Sequence, residues 1–183
     1  LSLSMGLVVI ISNYLVQFPV KFFNLQNVLT YGAFSYPLTF FITDLSNRAF
    51  GKLKTKKIVN FGFLVGVIIS IFISTNFSEI ISIRIAIGSG VAFFVAQNLD
   101  LQIFDRLRNR SWYIAPFYSS IIGSTTDTFL FFSIAFYNTG VPWFSLALGD
   151  LIVKLIIALL MLIPFRILMR KIKDFNGKKI INA

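Results

Sequence analysis

Among the 183 residues there are only seven carboxylates, and there is neither a histidine nor a cysteine. Without those two side chains no Ser/His dyad, thiol nucleophile, disulfide or imidazole metal site can form. Intramembrane proteases and zinc enzymes of the usual kinds are thereby excluded. No P-loop is present, and Gly88-x-Gly90 follows no strand, so the chain does not draw on ATP by itself. What remains is recognition by carboxylates, amides and hydroxyls. Asp127 stands among Ser120, Gly123, Ser124 and Thr128, with no basic residue three or four positions away on either side. A carboxylate so placed needs a ligand or a partner from another element. Gln97, Asn98 and Asp100 form a second polar group, with Phe104 one turn beyond. Asp150 and Lys154, like Asp44 and Arg48, are four apart with the acid first, the favourable order for a helical ion pair. Each pair reads either as a structural lock or as part of a functional gate. None of these groupings points to bond-making chemistry, so a non-enzymatic role without a cofactor is expected.

The elements that must position these residues are strongly apolar. Hydrophobic residues make up 56% of the chain, aromatic residues 16% and charged residues 13%, with a mean hydropathy of +0.81. A water-soluble domain carries about a quarter charged residues, so most of this surface is expected to face lipid. A bilayer-crossing helix needs about 20 apolar residues, and six such runs fall at about 1–20, 28–47, 58–75, 80–104, 112–137 and 143–169. Residues 1–20 lack a basic n-region and read as a span rather than a signal peptide. Long Ile/Leu/Phe runs such as 64–73 lack the alternation of a transmembrane β-barrel. The expectation is an all-α integral membrane protein, a single domain over 1–183 folded as a compact bundle of six transmembrane helices.

The bases give that bundle a direction. Arg48, Lys52, Lys54, Lys56 and Lys57 follow the second run, Arg106, Arg108 and Arg110 the fourth, and Arg170, Lys171, Lys173, Lys178 and Lys179 the sixth. The intervening loops hold Lys21, Glu79 and, in the fifth, no charge. This alternation predicts both termini in the cytoplasm, and it assigns the net charge of +10 to topology and anionic lipid rather than to nucleic acid. At about 1.5 Å per residue, Asp127, Asp150 and Lys154 fall at one depth, some 10 to 16 Å from the outer surface, with Asn13, Gln17, Tyr36 and Arg84 in the same half. Asp44, Arg48, Gln97, Asn98, Asp100 and Gln102 fall nearer the cytoplasm. Pro37 and Pro116 interrupt backbone hydrogen bonding, and such breaks are common near transport sites.

Three separated motifs now carry a resemblance. They are Tyr36-Pro37-Leu38-Thr39-Phe40-Phe41-Ile42-Thr43-Asp44-Leu45 with Asn47-Arg48 and Phe50-Gly51; Gln97-Asn98-Leu99-Asp100 with Phe104-Asp105 and Leu107-Arg108; and Trp112, Pro116, Ser119-Ser120, Gly123 and Asp127-Thr128 with Phe131-Phe132. In that order they resemble the queuosine precursor transporter family, also called the vitamin uptake transporter family. The resemblance implies import of 7-deazaguanine precursors of the modified tRNA nucleoside queuosine across a bacterial cytoplasmic (inner) membrane. By matching position it implies that Asp44, Gln97, Asn98, Asp100, Arg108, Ser120 and Asp127 are functional; the residues themselves read as substrate contacts at Asp127, Asp100, Asn98, Gln97 and Ser120, and as gating or structural pairs at Asp44, Arg48, Arg108, Asp150 and Lys154. A deazaguanine offers N–H donors to a carboxylate, a flat face to Phe or Tyr and, when aminomethylated, a cation. The family also resembles the substrate-binding components of energy-coupling-factor transporters. A stand-alone carrier, a capture subunit needing an ATPase-driven partner, a homo-oligomer and a structural assembly protein therefore all stay open. Because incorporation into tRNA would trap the precursor, facilitated diffusion is expected rather than proton coupling.

Overall fold

The computed structural model describes residues 1–74 and 79–171. In chain order these form α1 (Ser2–Leu15), a 3-10 turn (Phe22–Asn27), α2 (Gly32–Ser35), α3 (Pro37–Phe50), α4 (Lys52–Ser74), α5 (Ile80–Leu107), α6 (Ile114–Phe136) and α7 (Trp143–Lys171). Among the described residues no strand is longer than an isolated antiparallel bridge between Pro19 and Thr30, which folds the α1–α2 connection back on itself. The all-α expectation therefore stands.

Polarity runs opposite to that of a soluble protein. Leu64, Ile68 and Phe72 on α4 and Ile152, Ile156, Leu160 and Ile163 on α7 are exposed, whereas Asp44, Asp100, Asp127, Asp150, Lys154 and Gln97 are buried. In water that distribution would be costly on both counts, whereas in lipid it is the expected one. Ile80–Leu107 and Trp143–Arg170, each 28 residues, are long and apolar enough to cross a membrane, with 18-residue stretches of mean hydropathy 1.8 and 2.6. α5 is the central element. Its Phe93 and Ala96 join Met5, Val9, Tyr36, Phe40 and Val59 in one apolar cluster, its Ala92 packs with Phe131, Phe132 and Ala147, and its Phe104 packs with Ala115, Phe165 and Met169.

Two predicted boundaries move, each for a local reason. The second apolar run is not one helix: Pro37, which lacks an amide hydrogen, becomes the first residue of α3, and α2 ends two residues earlier at Ser35. The basic stretch expected as a loop is instead the start of α4, because Gly51 at φ 78° turns the chain and α4 begins at the next residue. Pro116 causes no break, since it lies in the first turn of α6, where backbone amides have no helical partner. α1 lies against α4 through Gly62. A β-carbon there would stand 2.6 Å from Met5, so a larger residue would push the two helices apart.

Candidate functional site

Two groups of polar side chains are enclosed by the helices. The first is centred on Lys154 of α7. Its ammonium donates to Asp127 Oδ2 of α6 at 2.9 Å, lies 2.6 Å from Asp150 Oδ2 one turn back on α7, and donates to Thr128 Oγ1 at 3.1 Å. The Thr128 hydroxyl in turn donates to Asp150 Oδ2 at 2.8 Å. Tyr36, at the break between α2 and α3, presents its ring 4.8 Å from the ammonium. The second carboxylate oxygen of Asp127 is buried and accepts no hydrogen bond. Two carboxylates against one ammonium leave one formal negative charge, and an acceptor without a donor, in a place that is 2–3% exposed. A cavity of about 10 Å³, room for one water, is bounded here by Asn13, Gly32, Tyr36, Ser89 and Phe131 together with the ionised trio. The Ser89 hydroxyl donates to Asn13 Oδ1 and ties α5 to α1 beside it. Toward the α6–α7 turn an open cleft of about 390 Å³, lined by Gln17, Gln26, Glu79 and Ser82, shares Val16 with this cavity.

The second group lies between α3, α5 and α6. Asp44 Oδ1 accepts from Ser119 at 3.1 Å and Oδ2 from Ser120 at 3.2 Å. Asp44 is within electrostatic range of Asp100 and of Arg48. Beside it Gln97 ties α5 to α3, accepting from Thr43 at 2.5 Å and donating to Thr39 at 2.8 Å. At the basic end Arg48 donates to the Arg108 carbonyl at 2.9 Å and lies 5.6 Å from the Phe104 ring. Arg108 donates to both oxygens of Asn47 and pairs with Asp105 at 3.6 Å.

Asp127, Asp150 and Lys154, expected at one depth, are thus in direct contact, and Asp44, Asp100 and Ser120 are neighbours. Asn98 stands apart. It is half-buried on another face of α5, its amide donating to the Phe94 carbonyl at 2.7 Å, because one residue along a helix turns the side chain by about 100° from Gln97. Arg84 donates to the carbonyls of Ile134 at 2.9 Å and Tyr137 at 2.8 Å, satisfying the end of α6. Ser89 had no distinguishing signal, since buried hydroxyls on apolar helices are common. The i, i+4 spacing of Thr39 and Thr43 was the available hint.

Charges buried between helices whose outer faces are apolar define the class of a helical membrane protein with a polar interior, the construction of solute carriers rather than of membrane anchors. A family described as "Putative vitamin uptake transporter" matches residues 30–169. The "Queuosine precursor transporter" of Escherichia coli (strain K12) is 34% identical over 100% of this chain and 91% of its own length. The "Probable queuosine precursor transporter" of Haemophilus influenzae is 35% identical over 84% of this chain and 77% of its own. That of Bacillus subtilis (strain 168) is 26% identical over 86% and 78%. No solved structure matches. The chain belongs to the vitamin uptake transporter family, alongside the queuosine precursor transporters.

Proposed function

We propose that this protein is a stand-alone carrier that imports 7-deazaguanine precursors of queuosine across the bacterial cytoplasmic membrane, binding them at Asp127. The observation that carries this reading is the buried, unpartnered oxygen of Asp127, which with the net negative charge of its cluster suits a donor-rich and preferably cationic base. Tyr36, which lines the same cavity as Asp127, supplies an aromatic side chain there. The cleft beyond Val16 is the outer approach, and a cavity the size of one water must widen to admit a fused two-ring base. The short α2, set off from α3 at Tyr36–Pro37 and carrying Gly32 on the cavity wall, is the element that moves to widen it.

Reconstitution tests the reading. Purified protein in liposomes without nucleotide or partner should equilibrate a labelled aminomethyl-deazaguanine. Binding without movement would assign capture to a partner-dependent complex, and no binding of any deazaguanine would sink the carrier altogether. With a pH gradient in Na+-free medium, internal precursor should level off at the external concentration; protonophore-sensitive accumulation above that level would mean proton coupling.

The alternating bases support six crossings with both termini cytoplasmic. In this Cys-free chain, Tyr137→Cys, exposed in the α6–α7 turn, should react with an impermeant thiol reagent from outside intact cells, and Lys54→Cys should not. Reverse labelling would overturn the orientation.

A further inference from the structure

We propose that the carrier holds a second, inner site for the same base, formed by Asp44, Ser120 and Ser124 with the rings of Phe40 and Phe165. The base reaches it from Asp127 along the seam between α3, α6 and α7, so the proposal rests on the carrier reading. A small cavity lies on that seam, and all five of these side chains line it. The Ser124 hydroxyl, which borders the cavity, is buried and has no hydrogen-bond partner. Asp44, 2% exposed, borders it too, with Oδ1 accepting from Ser119 and Oδ2 from Ser120. A carboxylate accepts about four hydrogen bonds, so capacity remains for a ligand. An enclosed hydroxyl without a partner is costly and calls for one.

The register of three helices joins this cavity to the one at Asp127. Tyr36, at the N-cap of α3, borders the outer cavity, and Phe40, four residues on, borders the inner one. On α6 the corresponding pair is Asp127 and Ser124, three apart, and on α7 it is Lys154 and Ala158, four apart. Residues at those spacings share one face of a helix, about one turn or 5 Å along its axis. Numbers rise along α3 and α7 and fall along α6, yet all three steps lead from the outer cavity toward the basic end at Arg48 and Arg108. The chemistry repeats as well. Each cavity sets a carboxylate beside an aromatic ring. At the inner one Asp44 accepts from the N–H groups of the base, the Ser124 hydroxyl donates to its carbonyl, and Phe40 and Phe165 offer aromatic surface. At about 10 Å³ this cavity admits one water and is closed to a base as it stands. Its α7 wall has a place to bend, because Pro164 inside the helix deprives the Leu160 carbonyl of its helical donor.

Two measurements on the full chain in proteoliposomes test the inner site. In this Cys-free protein Ser124→Cys should react with a small cationic methanethiosulfonate at least about tenfold faster than Ser46→Cys. Ser46 is equally buried, on α3, and borders neither cavity. Saturating aminomethyl-deazaguanine should suppress the reaction at Ser124→Cys. The second measurement fills the cavity: Ala158→Phe should lower uptake at least about tenfold while equilibrium binding at Asp127 stays within about threefold of wild type. Where Ala158→Phe does not fold, Ala158→Leu takes its place. Reaction at Ser124→Cys no faster than at Ser46→Cys, or wild-type uptake in the filled variant, overturns the inner site. Equal loss of binding and uptake overturns it as well, since one site and not two would then serve. No uptake by the wild type, with Ser124→Cys reactive and shielded by the base, would sink the stand-alone carrier and still support the inner site.

Discussion

Asp127→Asn should abolish most precursor binding while leaving the bundle folded. Lys154 keeps its 2.6 Å contact with Asp150 in this variant, and an amide retains an acceptor oxygen in the position of the carboxylate. The wild-type trio carries two acids against one base, so the substitution also removes the uncompensated charge. Thermal stability should therefore hold or rise. Binding loses a charge-assisted hydrogen bond, about 1.5–3 kcal/mol, or roughly 10- to 150-fold in affinity. The loss should be greatest for the aminomethylated, cationic base and smallest for a neutral one. Binding across a small panel of deazaguanines, measured beside Tm on the same preparations, checks both halves. Wild-type affinity in the variant would make Asp127 purely structural. Asp150→Asn is the matched control: it also neutralises the trio, yet it leaves the Asp127–Lys154 contact in place.

The second large effect is on the fold itself. Lys154→Met keeps an unbranched side chain, one atom shorter, and removes the cation that faces both Asp127 and Asp150. Two buried carboxylates then confront one another with only the Thr128 hydroxyl between them. Breaking a buried pair by deleting one partner costs about 3–5 kcal/mol. A protein with ordinary stability of about 5–15 kcal/mol would survive weakly or fail to accumulate. Adding Asp150→Asn to Lys154→Met should recover a substantial part of that loss, because one of the two opposed charges is gone. Unfolding midpoints of the single and double variants in detergent give the answer. A Lys154→Met protein as stable as the wild type would mean that the trio is solvated and not enclosed.

The amino-acid sequence by itself determined the apolar runs and the helical class, and it grouped the polar residues by their position along those runs. Those properties are one-dimensional: hydropathy is read along the chain, and a rise of about 1.5 Å per residue converts position into depth. That is why Asp127, Asp150 and Lys154 were legible as a group, and why the family motifs around Asp44, Asp100 and Asp127 stood out. Rotation about each helix axis and the contacts between helices were decided only in the tertiary structure. Asn98 and Gln97 are adjacent and equally polar, yet only Gln97 reaches α3, because packing of Phe93 and Ala96 against α1 and α3 sets which side of α5 turns inward. Lys154 reads as a partner of Asp150 alone from spacing; its second contact, with Asp127, exists because α6 and α7 bring two residues of distant sequence to one height and one face. The start of α4 at Lys52 was likewise hidden, since lysines suit a loop and a helix alike until Gly51 turns the chain directly into a new one. Depth follows from counting residues; facing follows from how large and small side chains interlock, and that is a property of all the helices at once.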